Sequence, residues 1–426
     1  MRLHVAMAGP IAGQDIRAFL DLGSFDAVPS GYPGAPLTSV LIGELLRRGH
    51  QVTALTTDSQ LPLGSAPVRL RGPNLEFVVC PARSRAWRFS GRVPGRALDF
   101  FAHERAAMAA VLRQVEPDIV HAHWTYEFAL AALATEFPHL ITCHDSPLAV
   151  LRFTRSPYRA LRYLMAKQVF AKGRNFTTVS GYMTTELARW LPVAPIVIPN
   201  PVSQQVLRLG RQRARPPTRR VAMVCNGWDR LKNPQAGMLG FAAFKKDCPQ
   251  AQLHLFGAGF GPGETAQCWA QDQRIDTDMH FHGRVAHAEL IAKLSETDLL
   301  LHPSREESFG VVMAEAMALG MPVVAGATSG AAPWVLGAVA ARSPCAVLVD
   351  VGSVASIAAG LSEALDVQYP NKSLAAIERA RAMFAPDQVA GAYERCYADV
   401  LRGKPGATAA SGPAQNHAGF QQGVVL

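Results

Sequence analysis

Between Asp298 and Gly326 the chain reads DLLLHPSREESFGVVMAEAMALGMPVVAG. An apolar run from Leu299 to Leu301 ends in a polar loop, a helical pattern opens near Gly310 and stops at Gly320, and Pro322 starts a second apolar run. The order is strand, loop, helix, strand. Glu307 lies in the loop, and Glu315 lies inside the helix eight positions later. At ~1.5 Å rise per residue, Glu315 sits roughly 8 Å along the axis from the first helical residues. The free N–H groups expected at Phe309 to Val312 make a natural seat for a diphosphate, because backbone donors and the helix dipole both favour negative charge. Carboxylates would repel that anion, so Glu307 and Glu315 must instead accept hydrogen bonds from neutral hydroxyls, one on a sugar and one on a ribose. The spacing suggests a nucleotide-sugar cradle. The plainer alternative for Glu307, which follows Arg305 and Glu306, is a solvated loop charge. Glu315 interrupts VVMAEAMAL, where a carboxylate is costly unless something binds it.

The stretch PSREESFGVVMAEAMALGMPVVAG resembles the nucleotide-sugar signature of family-4 retaining glycosyltransferases, with its two glutamates separated by seven residues, its Phe-Gly pair and its Gly-x-Pro-Val-Val ending. Matches to that family run from about residue 3 to residue 400. The resemblance implies the GT-B fold, two facing doubly wound, Rossmann-like α/β domains with a cleft between them.

Composition agrees with two globular domains. A chain of 426 residues is too long for one ordinary core, and 49% hydrophobic with 18% charged residues excludes disorder. Seven scattered cysteines without a C-x-x-C pair point to reduced thiols in a cytosol rather than a disulfide frame or a zinc site. No apolar run reaches the length of a membrane span. The opening MRLHVAMAGPIAG carries Gly9, Pro10 and Gly13, and reads as a first strand rather than a signal peptide. The expected location is the cytoplasm, with a peripheral seat at the inner face of the membrane as the alternative. Net charge is +9, and arginines crowd around Trp87 and Phe89 and again from Arg152 to Arg174 among Phe153, Tyr158 and Tyr163. Basic residues with aromatics suit an anionic membrane face or a phosphorylated acceptor. A solvated basic surface is the competing reading. No nucleic-acid recognition motif accompanies the charge.

Taken in order, Leu3 to Gly9 reads as a strand, a loop rich in Gly and Pro follows, and a helix runs from about Leu37 to Arg48. Strands then alternate with helical patterns: LEFVVCPA, a helix from about Leu98 to Val115, DIVHAHW, a helix from Phe128 to Phe137, HLITCHD, a basic helix, and NFTTVS. Such alternation implies a parallel sheet with helices on both faces, whose ligands meet the C-terminal strand ends. His144 lies at one such end, and His121 with His123 at another; the latter two read as packing residues. RRVAMVCNG at 219–227 echoes RLHVAMAG at 2–9 and starts a second sheet. The expected organisation is an N-terminal acceptor-side domain at 1–202, a basic exposed linker at 203–219 and a nucleotide-sugar domain at 220–385. A helix at about 386–402 crosses back to the N-terminal domain, and a disordered tail covers 403–426.

The resemblance also assigns roles. SGYPGAPLTSVLIGELLRRGHQVTAL is similar to the family's N-terminal glycine loop and helix, which implies that Gly34 meets the diphosphate together with the N–H groups of Ser308, Phe309 and Gly310. Glu307 would contact the donor sugar, Glu315 the ribose, and His144, in TCHD, the sugar or acceptor. GWDRLKNP implies that Lys232 and Arg230 offset charge on the departing diphosphate, although Trp228 stands where many relatives place that arginine. Gly257 and Val285 fall at the base-binding edges. Trp334 occupies an acidic position of the family pattern. Asp276 and Asp278 form a D-x-D pair in a polar loop away from the signature, so no metal site is expected.

The function so implied is a retaining hexosyltransferase that works without a cofactor, uses a UDP-sugar or GDP-sugar donor, and serves bacterial-type glycan, glycolipid or polysaccharide synthesis. Its acceptor would be a sugar, a lipid-linked or an anionic molecule. A nucleotide-sugar epimerase or isomerase of the same architecture, and a non-catalytic nucleotide-sugar binder, are the alternatives.

Overall fold

The computed structural model describes residues 2–23, 27–34, 36–89, 92–213 and 218–403. The expected tail after Gly403 and residues 214–217 of the expected linker lie outside them.

Eight strands build the first sheet: β1 (His4–Ala8), β2 (Gln51–Asp58), β3 (Val68–Gly72), β4 (Leu75–Pro81), β5 (Ile119–His123), β6 (His139–Cys143), β7 (Phe176–Thr178) and β8 (Ile196–Val197). Their order is β3-β4-β2-β1-β5-β6-β7-β8, and every pairing is parallel except β3 with β4. β5 is buried along its whole length and β1 along all but its first residue, so β1 reads as Val-Ala-Met-Ala after His4, while β5 buries His121 and His123 among Ile119, Val120 and Ala122. β3, an antiparallel edge strand, is absent from the expected elements, although VRLRG alternates half-buried apolar residues with exposed arginines at the period of a half-buried strand. It turns into β4 through Asn74, whose φ of 58° closes the tight connection.

The second sheet contains β9 (Arg220–Val224), β10 (Gln252–Phe256), β11 (Met279–Gly283), β12 (Leu299–His302), β13 (Val323–Gly326) and β14 (Ala346–Val349). It is wholly parallel in the order β11-β10-β9-β12-β13-β14. Both sheets are doubly wound, and the two domains are Rossmann-like. The strand order reverses between β1 and β5 in one sheet and between β9 and β12 in the other. Such reversals open a crevice beyond the strands' carboxyl ends, where ligands bind.

Two connections tie the domains together. The stretch expected to be an exposed linker carries a helix, Gln204–Leu209, capped by the Ser203 hydroxyl. Val206 and Leu207 of that helix are buried, and Arg213 donates to the carbonyls of Thr297 and Ser295, so the segment is docked on the second domain. The last helix, Pro386–Leu401, returns to the first domain and packs Val389, Tyr393 and Tyr397 beside Val5, Met7 and Ile119. His121 Nδ1 lies 2.8 Å from the Tyr397 hydroxyl, and Glu394 accepts at 2.8 Å from Arg48. Among the described residues no helix is long and apolar enough to cross a membrane.

Candidate active site

On the second domain the site grows from the buried strand β12. It ends at His302, and a loop leads to the helix Val311–Ala318, with Gly310 just before it at φ 78°. That angle belongs to the left-handed region, and a Cβ at Gly310 would also stand 2.4 Å from the Met313 methyl. The loop holds Glu307 with its Oε1 2.6 Å from Lys232 Nζ and 3.1 Å from His302 Nε2. Burial alone would push this carboxyl up, but the Lys232 ammonium and His302 overcome burial and hold it well below the usual carboxylate range. Lys232 is placed by the loop after β9, which is laced to the β12 loop. Asn233 donates to the carbonyls of Pro303 at 3.1 Å and Val351 at 2.8 Å, and Arg305 N–H donates to the Leu231 carbonyl at 2.8 Å.

Glu315 is 6% exposed on an otherwise apolar helix, and the partner that such a position requires is His287. His287 Nε2 and Glu315 Oε1 stand 2.6 Å apart. The hydrogen bond to Glu315 raises the His287 pKa against the opposing effect of burial. Glu315 Oε2 has no partner among the described residues.

A cavity of about 320 Å³ lies between the domains. The first domain lines it with Pro10, Trp124 and His144; the second supplies Lys232, Glu307 and residues 308–311. His144 Nε2 is 2.8 Å from His123 Nδ1, and burial lowers its pKa to about 4. His121 is pushed down to about 3, mainly by burial. Burial thus favours neutral imidazoles in a row of three rings, His123 stacked on His144 with centroids 5.0 Å apart and His121 tilted against His123 at 4.3 Å. A neutral imidazole at the cavity wall can exchange a hydrogen bond with a hydroxyl without bringing charge.

The domains touch beside the cavity. The Ser180 hydroxyl donates to the Ser308 carbonyl at 2.7 Å, and a Cβ at Gly181 would lie 3.2 Å from the Trp334 indole. Trp334, at the family's acidic position, thus packs across the domain boundary. Trp228 has an equally structural place, with its ring centroid 5.9 Å from Phe260 and 5.5 Å from Trp269.

The remaining expected residues fall around this centre. Gly257 has φ 118°, and a Cβ there would be 1.8 Å from the Cys225 carbonyl oxygen, so no side chain fits. Val285 is half-buried against the core, and Gly34 is exposed, over Pro10. Arg230 is exposed and stands outside the cavity lining, whereas its intended partner Lys232 lies within it. Asp278 pairs with Lys245 at 2.6 Å on the surface. Sequence reasoning missed His287, His302, Asn233 and Trp124. His302 ends a strand and His144 directly follows one, so the strand-end rule that singled out His144 reaches His302 too; His287 and Asn233 carry no local signal.

Residues 38–206 match the model described as Glycosyltransferase Family 4, and residues 211–383 match Glycosyl transferases group 1. The chain belongs to the family-4 glycosyltransferases. It is 36% identical over 107 residues to D-inositol 3-phosphate glycosyltransferase from Corynebacterium jeikeium, a match covering 24% of this chain and 26% of that protein. The chain thus spans about a quarter of that relative's length. N-acetyl-alpha-D-glucosaminyl L-malate synthase from Bacillus anthracis is 24% identical over 314 residues, 69% of this glycosyltransferase chain and 78% of the relative. Among solved structures, sucrose-phosphate synthase from Thermosynechococcus elongatus superposes with a TM-score of 0.72 at 18% identity, over 95% of this chain and all of that one. That likeness carries the GT-B fold.

Proposed function

We propose that this glycosyltransferase moves a hexose from a UDP-sugar or GDP-sugar to an acceptor hydroxyl with retention at the anomeric carbon. The observation that carries the reading is the cavity at which the two topological switch points meet, with Glu307, Lys232 and the start of the Val311–Ala318 helix on one wall and His144 on the other. The helix start seats the diphosphate. Lys232, fixed by Glu307, presents a cation to the charge that grows on the leaving phosphate. Glu315, turned to His287 through Oε1, keeps Oε2 for the ribose hydroxyls, and Gly257 and Val285 border the base. Neutral His144 contacts the transferred sugar.

Retention does not run through a covalent glycosyl-enzyme in this scheme. Glu307 is already bonded to Lys232 and His302 and is a weak nucleophile. The acceptor attacks from the face that the diphosphate leaves, and the leaving phosphate oxygen takes the acceptor proton. The names of the matched relatives, an inositol-phosphate glycosyltransferase and a glucosaminyl-malate synthase, support sugar transfer.

The test is calorimetry with UDP, GDP, ADP and their common sugars, followed by assay of nucleoside diphosphate release with and without acceptors. One nucleotide should bind selectively, Glu315→Gln should weaken it by roughly tenfold, the worth of one charged hydrogen bond, and release should need an acceptor. Unchanged affinity in that variant contradicts the ribose role, and turnover of donor without an acceptor points to an isomerase.

A further inference from the structure

The two basic-aromatic segments divide in the fold. Arg83 is buried and satisfied by Asp99 and Glu104 at 2.6 to 2.8 Å, so it belongs to the scaffold. Arg162, from the second segment, is also buried and pairs with Glu127. Its guanidinium lies 3.7 Å from the Tyr126 ring centroid, 5.7 Å from Trp124 and 5.6 Å from Phe101. Arg96 reaches the same Phe101 ring at 5.6 Å from the other segment. Tyr32 closes the group, edge-on to Trp124 at 5.4 Å. The Tyr32 phenol is pushed up by burial and then by Glu127, with Arg162 and Arg96 opposing. Loops after β1, β4 and β5 and one helix of the first domain thus converge on one half-buried patch.

Three properties of this patch ask for a ligand. Trp124 lines the cavity, and it holds φ 72°, a strained backbone angle for a bulky residue. The Nε atoms of Arg96 and Arg162 are buried without a partner among the described residues. Arg96 and Arg159 make no ion pair there either, though Arg159 acts on Asp145, which takes the Tyr126 hydroxyl at 2.9 Å. Arg162 is taken by Glu127 and Arg159 acts on Asp145, which leaves Arg96 without a carboxylate partner among the described residues. Fork-shaped guanidiniums suit phosphate or carboxylate, and aromatic faces suit a sugar ring.

We propose that this patch is the acceptor subsite and that it selects an acceptor carrying a phosphate or carboxylate, held by Arg96, Arg159 and Arg162 while Tyr32 and Trp124 bear on its ring. The proposal rests on the reading of the cavity as a sugar-transfer site and adds the acceptor's chemical class. Anionic acceptor and donor then meet at opposite ends of one cleft, with the acceptor's charge remote from the diphosphate.

Two arms test it. In the first, hexose 6-phosphates and inositol monophosphate are titrated calorimetrically in the absence of donor, beside hexose, inositol and inorganic phosphate. In the second, the same compounds are acceptors with the donor that the nucleotide screen selects. At least one phosphorylated compound should bind and be used, with its unphosphorylated counterpart weaker by roughly tenfold or more, the loss of one charged hydrogen bond. Arg96→Gln and Arg159→Gln, both half-buried rather than core positions, should raise the acceptor KM by a similar factor with kcat within about twofold, and leave nucleotide affinity unchanged. Equal use of neutral acceptors, or an unchanged KM in both variants, overturns the proposal while sugar transfer stands. Binding confined to phosphatidylglycerol vesicles overturns it in favour of a lipid surface. Absence of nucleotide binding sinks the transfer reading instead, and the first arm still judges the anion site.

Discussion

Lys232 Nζ and Glu307 Oε1 stand 2.6 Å apart, and this ion pair bridges the two loops that flank the strand reversal of the second sheet. Both groups are largely removed from water, so either one alone is a liability.

Replacing Lys232 with Met should therefore cost about 3 kcal/mol of unfolding free energy, since it strands a buried carboxylate. The double variant Lys232→Met with Glu307→Gln should recover most of the loss. Denaturant titration of the four proteins measures the coupling, and additive losses would show that the pair is not formed.

The same pair sets an acid dependence. The folded-state Glu307 pKa is depressed, so its contribution is complete above the ordinary Glu value of about 4.3 and declines as pH falls below it toward the folded value. Wild type should lose its advantage over Glu307→Gln on acidification below pH ~4, where the unfolded carboxyl gains its proton. Thermal melts from pH 3 to pH 7 read this difference, with roughly the window given by the reference value.

His287 behaves in the opposite sense. Its folded pKa is raised, so the stabilisation from the Glu315 bond is fully present below the ordinary His value of about 6.5 and is lost as pH rises through the folded value. His287→Gln should be most destabilised relative to wild type in mild acid and converge with it in alkali. An NMR titration of the ring should give a midpoint above the ordinary His value of about 6.5.

His144 should remain uncharged across the working range, because burial lowers its pKa to about 4. A rate limb near pH 6 to 7 that disappears in His144→Asn would contradict this, as roughly that range belongs to an unperturbed imidazole. The expected profile keeps its shape and loses height.

At Gly257, alanine should cost about 2–3 kcal/mol or abolish soluble expression, since φ 118° and the Cys225 carbonyl leave no room for a methyl. Denaturant titration measures the loss, and a variant as stable as wild type would contradict the close approach.

The sequence made the architecture legible where one period ruled. The helix from Pro234 to Asp247 and the last helix from Pro386 to Leu401 end where Pro and the apolar pattern place them. The helix expected from Leu98 begins instead at Ala102, because Phe100 and Phe101 take left-handed φ of 56° and 61°, which pattern does not reveal. β3 shows only a five-residue alternation, because an edge strand buries too little to need an apolar run. At the site, Glu307, Glu315, Lys232 and His144 announced themselves through motif and strand end. Their partners did not: His287 and His302 meet the glutamates through tertiary geometry, and Arg162 read as a surface charge until its aromatic neighbours folded around it.

The docking of the last helix also has a consequence for how the chain is made. Tyr393 and Tyr397 complete a core whose other members include Val5, Met7 and Ile119. On the ribosome, the first domain therefore emerges with an open seam and must wait for nearly the whole polypeptide before it can seal. The second domain, whose six strands all lie between Arg220 and Val349, can settle earlier and act as the tether that delivers the closing helix. A nascent chain halted after Phe384 should expose the apolar slot to chaperones, although every strand of both sheets has already been synthesised.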